Sequence, residues 1–106
     1  MIARIWRGVV RTEDADRYVE YVNETGMAHY MATPGNLGAH ILRSDRDGRT
    51  EILTLTFWAS WDAVKAFAGD DPTIARYYPE DDAFLLEKPE RVEHYEVPYS
   101  SLSPDG

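Results

Sequence analysis

The sequence predicts an α+β domain, a ferredoxin-like split βαβ fold with a four-stranded antiparallel sheet and helices on one face, dimerising into an α+β barrel. Three observations predict it. The elements run strand, helix, strand, strand, helices, strand; two β-rich runs meet at an Asp-Gly turn; and one strand carries apolar side chains at both parities. Helices can cover only one face of such a sheet, so the other is expected to meet a second copy of the chain.

Each element has its own local cause. Residues 2–11 are rich in Ile, Trp and Val and end at Thr12-Glu13-Asp14, a helix cap followed by two acids that suit the positive end of the dipole. Ala15, Tyr18, Val19 and Val22 then repeat at helical spacing, which predicts a helix over residues 13–31, with Gly26 a point of distortion near its end. Pro34-Gly35-Asn36 is a type II turn sequence. Residues 38–44 and 51–58 form a hairpin around Asp47-Gly48, with Ile52 and Trp58 on one side of the second strand and Leu53, Leu55 and Phe57 on the other.

Ser60 caps a second helix that Gly69 closes, and Asp71-Pro72 is expected to open a short third helix running through Tyr78 and stopped by Pro79. Residues 80–89 read as an acidic connector whose apolar knot, Ala83-Phe84-Leu85-Leu86, docks back on the body. Residues 91–97 alternate as the last strand. The domain is thus expected over residues 1–97, with a mobile Ser/Pro tail over 98–106 and no internal repeat.

The composition excludes several function classes. The chain has 106 residues, 11 Lys+Arg against 19 Asp+Glu, a net charge of −8 and no cysteine. Without Cys there are no disulfides, thiolate metal sites or thiol nucleophiles. The negative charge argues against nucleic acid, whose sequence-independent affinity comes from basic groups. Apolar stretches are short and interrupted, so no membrane partner is expected and a cytoplasmic location follows. His29, His40 and His94 are not spaced as local ligand pairs, and Glu80-Asp81-Asp82 reads as solvated surface, so no metal site is expected. The aromatic residues, three Trp, seven Tyr and three Phe, must fill a core or line a pocket.

Several blocks carry a family resemblance. They are Ile5-Trp6-Arg7-Gly8, Tyr18-Val19-Glu20-Tyr21, Thr33-Pro34-Gly35-Asn36, Trp58-Ala59-Ser60-Trp61 with Ala66-Phe67-Ala68-Gly69-Asp70-Asp71, Ala75-Arg76-Tyr77-Tyr78-Pro79-Glu80-Asp81, and Glu93-His94-Tyr95-Glu96-Val97. On these the chain resembles the antibiotic biosynthesis monooxygenase-like family of dimeric α+β barrels. The resemblance implies oxidation of polycyclic phenols or quinols by molecular oxygen with no cofactor, neither metal nor flavin, or, in the haem-degrading branch, opening of the porphyrin ring. Where that branch uses an Asn, a Trp and a His, this chain has Arg7 nearby, Phe67 and Tyr77. A His ligand to haem is therefore not implied, and Tyr77 is left as the candidate ligand.

Cofactor-free oxygenation needs a base, a cation or donor for the developing anion, and a dry aromatic pocket. His94 is the candidate base, or else a hydrogen-bonded structural imidazole. Arg7 is the candidate cation, with Arg4 on the same strand at the opposite parity, so that one of the two is expected to face the cavity and the other to pair with acids across a neighbouring strand. Tyr77 and Tyr78 are candidates for positioning a substrate oxygen. Trp6, Trp58 and Phe67 are candidate pocket walls, each alternatively plain core, and Trp61 is a candidate dimer contact. The expected partners are a second copy of the chain and a small hydrophobic or aromatic ligand. Three readings stay open: a cofactor-free monooxygenase, a lyase, isomerase or cyclase acting by proton abstraction, and a non-enzymatic ligand-binding or regulatory dimer.

Overall fold

A computed structural model describes residues 1–75 and 77–101 of the chain. The first strand, β1 (Ile2–Arg11), runs into a 3₁₀ turn and helix α1 (Ala15–Val22). A π-helical segment, Asn23–Met27, then leads without a break into α2 (Ala28–Ala32). The distortion expected at Gly26 is thus a wider helical turn, a form that recurs at functional sites. Pro34 and Gly35, the latter at φ 91°, make the type II turn, closed by the Asn36 N–H on the Thr33 carbonyl at 3.2 Å.

Strands β2 (Asn36–Arg46) and β3 (Arg49–Trp58) form the hairpin, and both central residues of its turn, Asp47 and Gly48, have positive φ as a type I′ turn requires. The Ser60 hydroxyl accepts the Ala63 N–H at 3.2 Å and caps α3 (Trp61–Ala68). The sheet order is β2-β3-β1, with the far edge of β1 shared by two short strands, β4 (Leu85–Glu87) and β5 (Glu93–Glu96). All pairings are antiparallel. The expected fourth strand is therefore two, because Pro89, which has no N–H to give, and its neighbours leave the ladder between them.

The expected third helix does not form among the described residues. Asp71 does cap, its carboxylate accepting the Thr73 N–H at 3.1 Å and hydroxyl at 2.6 Å. The next backbone groups then pair with residues 90–92 instead: Val92 N–H reaches Thr73 O at 2.7 Å, and Ala75 N–H reaches Glu90 O at 2.9 Å. Strand-like pairing wins because it satisfies donors on both segments at once. Pro79, expected to stop a helix, opens a 3₁₀ helix (Pro79–Ala83). Arg76 and, of the segment expected to be mobile, residues 102–106 lie outside the described residues.

The helices cover one sheet face. On it, the even positions of β1 and β3 build two apolar clusters: Val10 and Ile52 with Ala15, Tyr18 and Val22, and Ile2 and Trp58 with Tyr30 and Val64. Phe84 and Leu85 of the apolar knot pack on the first cluster. On the other face Leu53, Leu55 and Phe57 stay partly exposed and Leu42 is exposed. No helix among the described residues is long and apolar enough to cross a membrane.

Ile52 is fully buried in the first cluster, so Ile52→Ala is expected to cost about 2–5 kcal/mol through lost contacts and the cavity left behind. Urea unfolding monitored by circular dichroism checks this: the midpoint should fall at an unchanged slope, and an unchanged midpoint would contradict the assignment of this cluster as core.

Candidate active site

Between the two apolar clusters the sheet becomes polar. Arg4 and Thr56 face one another across β1 and β3, and so do Trp6 and Thr54, all on the helical side. The helical layer does not close over these rows, and a cavity of about 380 Å³ opens there. Its floor is Arg4, Trp6 and Thr54; Tyr18, Val22, Thr25, Gly26, His29 and Tyr30 line it from the long helix; Phe67 and Ala68 from α3; and Tyr77, Tyr78 and Asp81 from the following segment. The volume and the mostly apolar wall with a few polar groups are those of a small-molecule site.

The alternation of β1 decides which arginine faces the cavity. Arg4 is 5% exposed on the cavity side, its guanidinium 5.4 Å from the centre of the Phe67 ring, a cation–π contact. Arg7, one strand position beyond Trp6, lies on the opposite face and is exposed. Trp6 and Phe67 line the cavity, whereas Trp58, wholly buried, belongs to the core beneath.

Trp6 is held in place from two sides. Its indole N–H donates to the Tyr77 hydroxyl at 3.1 Å, and that hydroxyl in turn donates to the Pro89 carbonyl. Gly8 makes the pose possible: a Cβ there would stand 2.5 Å from the Trp6 ring. Both functions of the Tyr77 oxygen are therefore spent within the protein, and it does not fit as an axial haem ligand. Tyr78, 48% exposed, stands at the cavity mouth.

Asp81 ties the far wall together. Buried at 5% exposure, its carboxylate accepts the Tyr18 hydroxyl at 3.1 Å and the Tyr78 N–H at 2.7 Å. Burial first, and then the Asp81 charge, push the Tyr18 phenol far above its ordinary range, so Tyr18 stays a neutral donor. The Tyr30 hydroxyl and Thr54 share a hydrogen bond of 3.4 Å.

His94 pairs across strands with Arg4 but is not among the residues lining the cavity. Its ring packs against Trp61 at 5.2 Å, which gives the 40%-exposed Trp61 a contact within the chain. The buried Nε2 of His94 has no hydrogen-bond partner among the described residues. Burial, and then the Arg4 charge, hold this imidazole below its ordinary value, against a backbone hydrogen bond at Val92. The imidazole that does line the cavity is His29, set edge-on to Phe67 at 5.0 Å.

Sequence reasoning missed Arg4 as the inward cation, and also Tyr18, Tyr30, His29 and Asp81. A signal for Arg4 was present: Ile2, Trp6 and Val10 share its parity and outweigh the mixed odd positions. Asp81 sits in an acid run that looks like surface, and only the fold singles it out. Among the described residues no three His, Asp or Glu side chains gather as a metal site.

Residues 1–72 match the family model described as antibiotic biosynthesis monooxygenase. No curated protein matches the chain. Among solved structures, a protein provisionally named an antibiotic biosynthesis monooxygenase from Nitrosomonas europaea superposes with a TM-score of 0.66 at 19% identity, over 93% of this chain and 100% of that one. A similarly named protein from Bacillus cereus gives 0.63 at 18% identity, over 96% and 97%. The heme-degrader MhuD from Mycobacterium tuberculosis, with two hemes bound in its active site, gives 0.55 at 19% identity, over 94% and 98%. At these identities the structural likeness is one of fold.

The lowered His94 value has a consequence for stability. Below about pH 6.5 the unfolded chain takes up a proton at His94 that the native chain refuses, so native stability falls with pH until the folded imidazole also titrates. His94→Gln removes that part of the pH dependence. The melting temperature of the variant is expected to drop less than that of the native protein between about pH 7.5 and 5.5, and equal drops would contradict the assignment.

Proposed function

The chain belongs to the antibiotic biosynthesis monooxygenase family, and we propose that it is a cofactor-independent oxygenase acting on an aromatic or polyketide-like phenol or enol bound in the cavity between helices and sheet. The observation that carries this reading is the buried Arg4 guanidinium on the floor of a cavity that Trp6, Tyr18, Tyr30 and Phe67 also line. An ionised phenol is electron-rich enough to reduce dioxygen directly. The protein's tasks are then to bind the ring, take its proton and stabilise the resulting oxyanion away from water.

Arg4 supplies the stabilising charge in this reading, in a setting where desolvation strengthens it. Trp6, Tyr18, Tyr30 and Phe67 sandwich the ring, and Tyr78 at the mouth is the phenol with a hydroxyl to offer a substrate oxygen. Asp81 is occupied by Tyr18 and Tyr78, so His29 is the proton acceptor on the cavity wall. His94, the base expected from sequence, is the alternative, approached past Arg4. Arg7 belongs with Leu53, Leu55 and Phe57 on the open face, which we assign to a homodimer contact within residues 1–97. A cytoplasmic location is part of the same proposal.

Oxygen uptake with a panel of naphthols, anthrones and quinols tests the reading. Arg4→Gln is expected to lower turnover by about 10²–10³-fold, the usual effect of removing one oxyanion donor, while the surface change Arg46→Gln leaves it unchanged. Equal rates for native and Arg4→Gln proteins would sink the role of Arg4. His29→Ala and His94→Ala, measured alongside, decide the base. Turnover without oxygen would move the protein to the lyase or isomerase class, and a Soret band on adding haem would favour a haem-binding role. Sedimentation should give a dimer at micromolar concentration; a monomer would contradict the contact proposed for the open face.

A further inference from the structure

The two cavity-lining residues of the π segment contribute very differently. The Thr25 hydroxyl bonds back to the Tyr21 carbonyl at 2.8 Å, so its polar group is already used. Gly26, next to it, presents bare backbone. Glycine is not demanded there by conformation, since the positive-φ glycines among the described residues are Gly35, Gly48 and Gly69. Nor is it demanded by packing. A methyl at Gly26 would meet Tyr30 at 3.6 Å and Val22 at 3.8 Å, ordinary contacts, where a methyl at Gly8 collides with Trp6.

Inside a helix, glycine is disfavoured relative to alanine. Gly26 therefore weakens its helix although neither a positive φ nor a packing clash requires it, and both neighbours of the missing methyl, Val22 and Tyr30, are cavity walls. What the missing side chain provides is width. We propose that Gly26 is a specificity-determining residue, leaving a slot between Val22 and Tyr30 that admits the edge of a fused-ring ligand. The inference rests on the reading of this cavity as the ligand site, and it narrows the ligand to flat molecules wide enough to need the slot.

Fluorescence titration of the full chain with 1-naphthol and with the wider 2-anthrol tests it, using Gly26→Ala, Gly26→Leu and, on the exposed side of the same segment, Glu24→Leu. Gly26→Ala should melt about 4–8 °C higher than the native protein, as an alanine in a helix allows. It should bind 2-anthrol about tenfold or more weakly while 1-naphthol stays within about threefold. Gly26→Leu should lose both ligands, and Glu24→Leu should bind both as the native protein does. If Gly26→Leu fails to fold, the alanine variant decides alone.

Unchanged binding of 2-anthrol by Gly26→Ala would overturn the inference and leave the oxygenase reading standing. A lower melting temperature with parallel loss of both ligands would also overturn it, by making Gly26 a folding requirement. Failure of the native protein to bind either probe would overturn the cavity reading and the inference together.

Discussion

The structure depends on the period-two alternation of its first strand. β1 pairs along its whole length with β3 on one side and, at its two ends, with β5 and β4 on the other. Its even positions, Ile2, Arg4, Trp6, Gly8 and Val10, therefore all face the helices, and a slip of one residue would send the whole set outward. Within that set the order matters as much as the parity. Apolar residues at the two ends recruit the two halves of the helical layer, while a cation, an indole and a glycine hold the middle.

The cavity follows from this order. The first cluster anchors α1 through Tyr18 and Val22, and the second anchors α2 and α3 through Tyr30 and Val64. The π segment spans the interval between them, over the polar rows of the sheet. Hydrogen bonds then stiffen the walls: Trp6 to Tyr77 to Pro89 on one side, Tyr18 to Asp81 to the Tyr78 N–H on the other. A cavity whose walls are fixed by their own bonds loses little entropy on binding a rigid ring.

Much of the fold was legible because its signals are local. The Asp47-Gly48 reversal, the Ser60 cap and the helical repeat from Ala15 each depend on neighbours in sequence. The third helix failed for the opposite reason: Asp71 caps as its sequence suggests, yet pairing with residues 90–92 is a distant interaction that overrides local preference. The same distinction explains the site. Trp6 and Phe67 could be named as pocket walls from type and position, but choosing Arg4 over Arg7 required knowing which face the helices cover. His94 was conspicuous in its strand, whereas His29 became interesting only once the turn of the helix brought it over Phe67. Asp81 was hidden among acids because burial, the property that distinguishes it, is written in the whole chain.

The central claim is that a guanidinium buried among aromatic rings stabilises the anion of a bound phenol. Its most direct test is the absorption spectrum of 1-naphthol bound to the protein, titrated with pH, since naphthol and naphtholate absorb at different wavelengths. With the native protein the bound ligand should ionise at a lower pH than the free compound, and Arg4→Gln should abolish that shift while still binding the ring. A bound naphthol that ionises at the same pH as in water, or at a higher one, would contradict the account.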